Sequence, residues 1–234
     1  MSLLFVLISA TPLVRTADLY GMARAIEVGA KNCADAWQLA PPAVDVCADA
    51  TSLPDGCCPV VFVDDNSDPG ALAVHFVSDR FQPAARVYMN NASGVNTGDW
   101  SASEGASHEV LEALCDPLCD AWHTHPTRPG IEVALEVSDP VQGFYFVEAA
   151  GQRWRVSNFV LPAWFEHHPD GGFFDWMSEL HEAGEVGANG YVILRDKTGA
   201  TWTEDAFGAR SMAAKKPGAA HPWARSSRRL AVNP

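Results

Sequence analysis

The apolar positions fall into short runs separated by polar turns, and the runs alternate between two periods. Leu3-Leu4-Phe5-Val6-Leu7-Ile8-Ser9 and Pro59-Val60-Val61-Phe62-Val63-Asp64 are nearly continuous, the pattern of strands buried on both faces. Ala71–Val77, which contains His75, alternates weakly, and Ala85-Arg86-Val87-Tyr88-Met89 reads as another strand. A shorter strand is expected around Val44–Cys47. Between these runs Leu19, Met22, Ala23, Ile26 and Ala30 share one stripe of a helix that Asp18 caps and that ends near Gln38. Ser101 followed by Glu104 has the form of a capping box, Leu111, Leu114 and Leu118 keep helical spacing, and Pro117 is a stop. The expectation is a mixed sheet of four or five strands in residues 1–90, with helices 17–38 and 101–116 packed on it. Helix 101–116 should lie beneath a cleft, with His108 facing it.

Beyond residue 118 the pattern becomes mainly strand-like. Residues 119–131 read as irregular and Ile131–Val137 as a strand. Gly143–Val147 and Arg153–Val156 form a hairpin around Gly151, and Gly190–Arg195 with Ala200–Glu204 form another around Lys197-Thr198-Gly199. Phe159–Phe165 is an aromatic, apolar segment and Phe173–Leu180 a short helix or loop, while Asp64–Gly70 and His167–Gly172 read as turns. The fold class is therefore α+β, one domain over 1–208 with a helix-bearing part (1–118) and a mainly β part (119–208). Residues 209–234 form a basic, flexible tail. No internal repeat is visible.

Composition narrows the class. With 234 residues, 47% hydrophobic and 19% charged, the chain can bury a substantial core. Its net charge of −13 argues against nucleic acid as a partner. After Asp205 there is no acid, while Arg210, Lys215, Lys216, Arg225, Arg228 and Arg229 supply six bases. An acidic body with a basic arm implies either a tail that docks on an acidic partner, a second copy included, or a solubilising terminus. The apolar N-terminus has no basic residue before Arg15 and is too short to span a bilayer, so a first strand is expected there, with no signal peptide and no membrane partner. Six cysteines (Cys33, Cys47, Cys57, Cys58, Cys115, Cys119) match neither a disulfide framework nor a zinc knuckle, and free thiols in a reducing compartment are expected.

Helix 101–116 concentrates the chemistry. His108 and Glu112 are four apart and therefore on one face, the His-Glu-x-x-His arrangement of zinc peptidases with a carboxylate in place of the second imidazole. Glu109 points to the neighbouring face, where the general base of such an enzyme stands. Asp116 shares the face but lies ~12 Å along the axis from His108, too far for one ion, and reads as a second-shell or helix-ending residue. The third ligand must come from elsewhere. Glu136 and Asp139 follow a strand, and Pro140 favours Asp139 by holding it extended. The alternative use of Asp139 is to cap a turn. His123, with His125, is a further option for the missing ligand. His167-His168 is most simply a polar turn. A set of one imidazole and two carboxylates favours zinc, and calcium or manganese also suits it.

The segment Ser107-His108-Glu109-Val110-Leu111-Glu112-Ala113-Leu114-Cys115-Asp116-Pro117, with Glu136-Val137-Ser138-Asp139-Pro140-Val141 downstream, resembles a family of uncharacterised bacterial and phage-encoded proteins. Val156–Phe165 and Pro69–His75 are similar to that family too, and the likeness covers roughly residues 30–205. A more distant likeness is to plant phosphate-induced secreted proteins. Both groups resemble zincin metalloproteases in the helix, from which this chain departs at the second histidine. The resemblance implies a zincin-like sheet with an active-site helix. It also implies a metal-dependent hydrolase acting on a peptide or protein substrate, cytoplasmic or virion-associated. Its other implication is a non-catalytic phage virion or tail-associated protein on the same scaffold, assembling with other virion proteins or with itself through the basic tail.

Overall fold

The computed structural model describes residues 2–65, 70–166 and 172–208, so most of the turns expected at 64–70 and 167–172, and the tail expected at 209–234, lie outside the described residues. The N-terminal half builds one sheet from β1 (Leu4–Ser9), β2 (Ala43–Val46), β3 (Cys58–Val63), β4 (Ala73–Val77) and β5 (Pro83–Tyr88). Its order is β2-β1-β3-β5-β4. The first four strands in that order run parallel, and β4 closes the edge antiparallel to β5. Helices α1 (Thr16–Ala36) and α2 (Ala102–Cys115) pack against each other and against this sheet. The expected mixed sheet with two helices is therefore what forms. The apolar N-terminal run is its second strand, paired on both sides.

Period-two alternation decides what meets the helices. Phe5 and Leu7, Val60 and Phe62, and Ala85 and Val87 join the large core under α1 and α2. Their neighbours Val6 and Ile8, and Val74, Phe76 and Ala84, form two smaller clusters. On β4 this puts Ala73 and His75 on the side of α2, which fixes the place of His75 in the site below.

The C-terminal half adds β6 (Trp122–Thr124), β7 (Ile131–Ala134), β10 (Tyr191–Asp196) and β11 (Thr201–Asp205) in a second, antiparallel sheet ordered β11-β10-β7-β6. The hairpin β8 (Phe144–Ala149) and β9 (Gln152–Ser157) turns through Ala150 and Gly151, both at positive φ, and packs on the two helices. A single buried apolar cluster runs from Phe5 to Trp202, so both halves share one core. Among the described residues no helix is long and apolar enough to cross a membrane.

Three local expectations need correction. Helix α1 starts at Thr16, and Asp18 is not its cap but its third residue, reaching back to the Arg15 backbone N–H at 3.2 Å. The segment expected to be irregular contains β6, which pairs with β7. Strand β7 stops at Ala134 rather than Val137, because the Glu136 N–H turns back to the Ala134 carbonyl at 2.9 Å and leaves the ladder.

Candidate metal centre

Helix α2 is buried almost throughout, which is unusual for a segment carrying His108, Glu109 and Glu112. Its N-terminus is set by Ser101, whose hydroxyl accepts from the Glu104 N–H. Ser107, one turn on, ties the helix to the hairpin: its hydroxyl donates to the Glu104 carbonyl and accepts from the Ser157 N–H, both at 2.8 Å. At the other end Asp116 caps the helix and accepts from the Asp120 and Ala121 N–H groups, both at 3.1 Å. Of its two expected roles, the helix-ending one is the one seen.

Asp139 approaches α2 from the segment after β7. That segment is pinned by backbone bonds from Val160 to Val137, from Gly187 to Pro140 and from Tyr191 to Asp139. Gly190 makes this possible: a Cβ there would sit 2.1 Å from the Pro140 carbonyl oxygen. The Asp139 carboxylate is delivered 3.1 Å from His108 Nε2, and Glu112 Oε1 lies 3.2 Å from the same nitrogen. Donor atoms of His108, Glu112 and Asp139 all lie within 4.8 Å of one another. Asp139 does not serve to cap a turn in isolation. Besides His108 it accepts a long bond from the Gln142 side-chain amide, 3.4 Å, while its Oδ2 is buried without a hydrogen-bond donor.

Beside this group lies a second one that the sequence reading did not assemble. His75 of β4 is 2.9 Å through Nδ1 from Glu109 Oε2 and 3.2 Å from Glu112 Oε2, and Nε2 is 3.6 Å from Glu136 Oε2. His75, Glu112 and Glu136 again offer donor atoms within 4.8 Å of one another. Glu136 thus belongs to this neighbouring group and is not an alternative to Asp139. The available clue was a lone imidazole within the run Ala73-Val74-His75-Phe76-Val77, since a polar group inside an apolar strand needs a buried partner.

His123 is corrected. It is exposed on β6, its ring 4.8 Å from that of Phe165, and it belongs to neither group. His125 is also elsewhere, buried with Nδ1 accepting from the Thr127 N–H at 3.3 Å.

The electrostatics follow from burial. His75, Glu109, Glu112, Glu136 and Asp139 are each 2% exposed or less. Burial alone would lower the His108 pKa, but the Glu112 charge and the bond to Asp139 outweigh it and hold the imidazolium form well above its ordinary range. Glu112, despite burial, is held below the usual carboxylate range by the same imidazole. Asp139 is pushed up to about 6 by burial and by the neighbouring Glu112 charge, against the pull of His108. His108 and Glu112 form the ion pair, and of the two carboxylates facing His108 it is Asp139 that gains a proton first.

The cluster is of a kind that suits a cation. Both Glu112 oxygens are within ion-pair distance of an imidazole, yet neither receives a hydrogen bond of ordinary geometry. A coordinated cation would supply the directional partner that these two buried oxygens lack. One imidazole with two carboxylates matches the ligand types of zinc and manganese sites. Above the cluster a cleft of about 400 Å³ is lined by His108, Glu109, Trp100, Gln142 and Tyr191 among others. His108 faces it, as expected of a site beneath a cleft.

No protein-family model, no curated protein and no solved structure matches the chain. The functional reading therefore stands on this geometry.

Proposed function

We propose that the chain is a metal-dependent hydrolase of zincin-like design that cleaves peptide bonds. The observation that supports it best is the convergence of His108, Glu112 and Asp139 at a buried point below an open cleft. Those three residues would hold the ion, with zinc favoured and manganese or calcium also compatible with the donors. When bound, the ion supplies Lewis-acid polarisation of a carbonyl and makes a neighbouring water more acidic. Glu109 borders the cleft one residue from His108 and takes the proton of the attacking water, later returning it to the leaving amine. His75, 2.9 Å from Glu109 Oε2, fixes the orientation of that carboxylate.

The groove suits an extended chain. Past Trp100, Gln142 and Gly143 the cleft continues into a second depression bordered by Asp99, Glu179 and Glu185. Substrates carrying Lys or Arg some residues away from the cleaved bond, on the side of that depression, are therefore favoured over acidic ones. The test is zinc-loaded protein incubated with a mixed peptide pool, with new termini mapped by mass spectrometry. Cleavage that disappears in His108→Ala and Glu109→Gln supports the reading. Full metal loading without any cleavage overturns the enzyme assignment and leaves a metal-binding scaffold.

A further inference from the structure

We infer that the buried cluster holds two divalent cations rather than one, with the Glu112 carboxylate shared between them. This rests on the metal-site reading above and extends it to a second position, made by His75 and Glu136. The two groups of donors have Glu112 in common and no other member. Its Oε1 lies 3.2 Å from His108 Nε2, its Oε2 faces the His75 ring, and it keeps a donor atom within 4.8 Å of donors of His75 and Glu136. A carboxylate placed between two imidazoles from two different elements can serve both donor groups.

The donor set points the same way. Glu109, Glu112, Glu136 and Asp139 are all buried, each within ion-pair distance of His75 or His108, and carboxylates interleaved with imidazoles are the ligand types that divalent transition metals take.

The second position has its own orienting contact. A bond from His75 Nδ1–H to Glu109 leaves Nε2 as the lone-pair nitrogen, the usual way a carboxylate sets the tautomer of a ligating imidazole. Nε2 is 3.6 Å from Glu136 Oε2, a separation that two ligands of one ion adopt when each bond is ~2 Å. The competing arrangement is a single ion with His75 protonated, paired to Glu109 and Glu136.

The two are separated by counting ions. The full chain is stripped with a chelator and dialysed against zinc, and bound metal is measured by mass spectrometry. A parallel titration with Mn(II) is followed by electron paramagnetic resonance. Two equivalents per chain are expected, with the spectrum of an exchange-coupled manganese pair at saturation. His75→Ala and Glu136→Gln should each bind one equivalent and lose the coupled spectrum. If His75→Ala does not fold, Glu136→Gln, which keeps the side-chain volume, carries the test. One equivalent in the unaltered chain overturns the second ion and leaves the single-ion hydrolase standing. No bound metal overturns both.

Discussion

The carboxylate of Glu112 stands between two imidazoles, its Oε1 3.2 Å from His108 Nε2 and its Oε2 3.2 Å from His75 Nδ1. Because it belongs to both donor groups, Glu112 is the residue on which metal-dependent stability should depend most. Ligand binding stabilises a fold by about 2.7 kcal/mol at a hundredfold excess over Kd. For a domain of this size that is a rise in Tm of roughly 5–10 °C. Scanning calorimetry should show that interval between zinc-loaded and chelated protein, and Glu112→Gln should nearly abolish it. An interval equal to that of the unaltered chain would remove Glu112 from the site.

Glu109 and Glu112 have opposite assignments although only two residues separate them. Glu109 borders the cleft and bonds His75, while Glu112 lies fully buried beneath. Glu109→Gln should therefore keep its zinc and lose activity by about 10²–10⁴-fold, the usual contribution of a positioned general base. Metal content measured beside peptide turnover distinguishes the two. Loss of zinc in this variant would make Glu109 a ligand instead.

Much of this arrangement was legible in local chemistry. The Ser101–Glu104 box and Pro117 bracket α2 to within a residue, and helical periodicity alone puts His108 and Glu112 on one face. What brings Asp139 to His108 is not local: it depends on Gly190 letting the backbone approach Pro140 and on Tyr191 bonding Asp139. Nothing in the spacing of residues 136–140 fixes which carboxylate faces which imidazole. His75 was harder still: its place in an apolar strand marks it as needing a buried partner, but nothing in the run says which one. His123 misled because two histidines two apart look like a ligand pair, whereas strand pairing of β6 puts that ring outside.

The packing of α1 on the hairpin gives a prediction in which two ordinary effects oppose. Gly21 is inside the helix, where alanine gains roughly 1 kcal/mol in helix propensity. A Cβ at Gly21, however, would meet Trp154 Cζ2 at 2.5 Å. The indole is 1% exposed and held by a bond from Nε1 to the Ala149 carbonyl at 3.2 Å, so it cannot swing aside. Overpacking of this kind costs about 1–3 kcal/mol and should win. Gly21→Ala is expected to lower the Tm by a few degrees, and a rise would mean that the hairpin moves away from α1 easily.

His125 provides the pH dependence. Its pKa is lowered to about 4 from the ordinary 6.5, first by burial and then by the charge of Arg128, with Glu204 opposing. The Thr127 N–H donates to Nδ1, a bond that requires this nitrogen to keep its lone pair. The folded state therefore prefers the neutral ring, while the unfolded state takes up a proton near its ordinary value. Between those values the unfolded chain binds more protons, so stability rises with pH through the window. The contribution is complete above about pH 6.5 and is lost progressively as pH falls toward 4. Urea denaturation at intervals from pH 4 to 7 measures it. His125→Asn keeps an acceptor near Nδ1 and cannot titrate there, so subtracting its profile removes the contributions of the buried carboxylates. The difference should grow with pH through the window and flatten above 6.5. A difference that is flat throughout would mean that the ring is protonated in place, with the Thr127 bond broken.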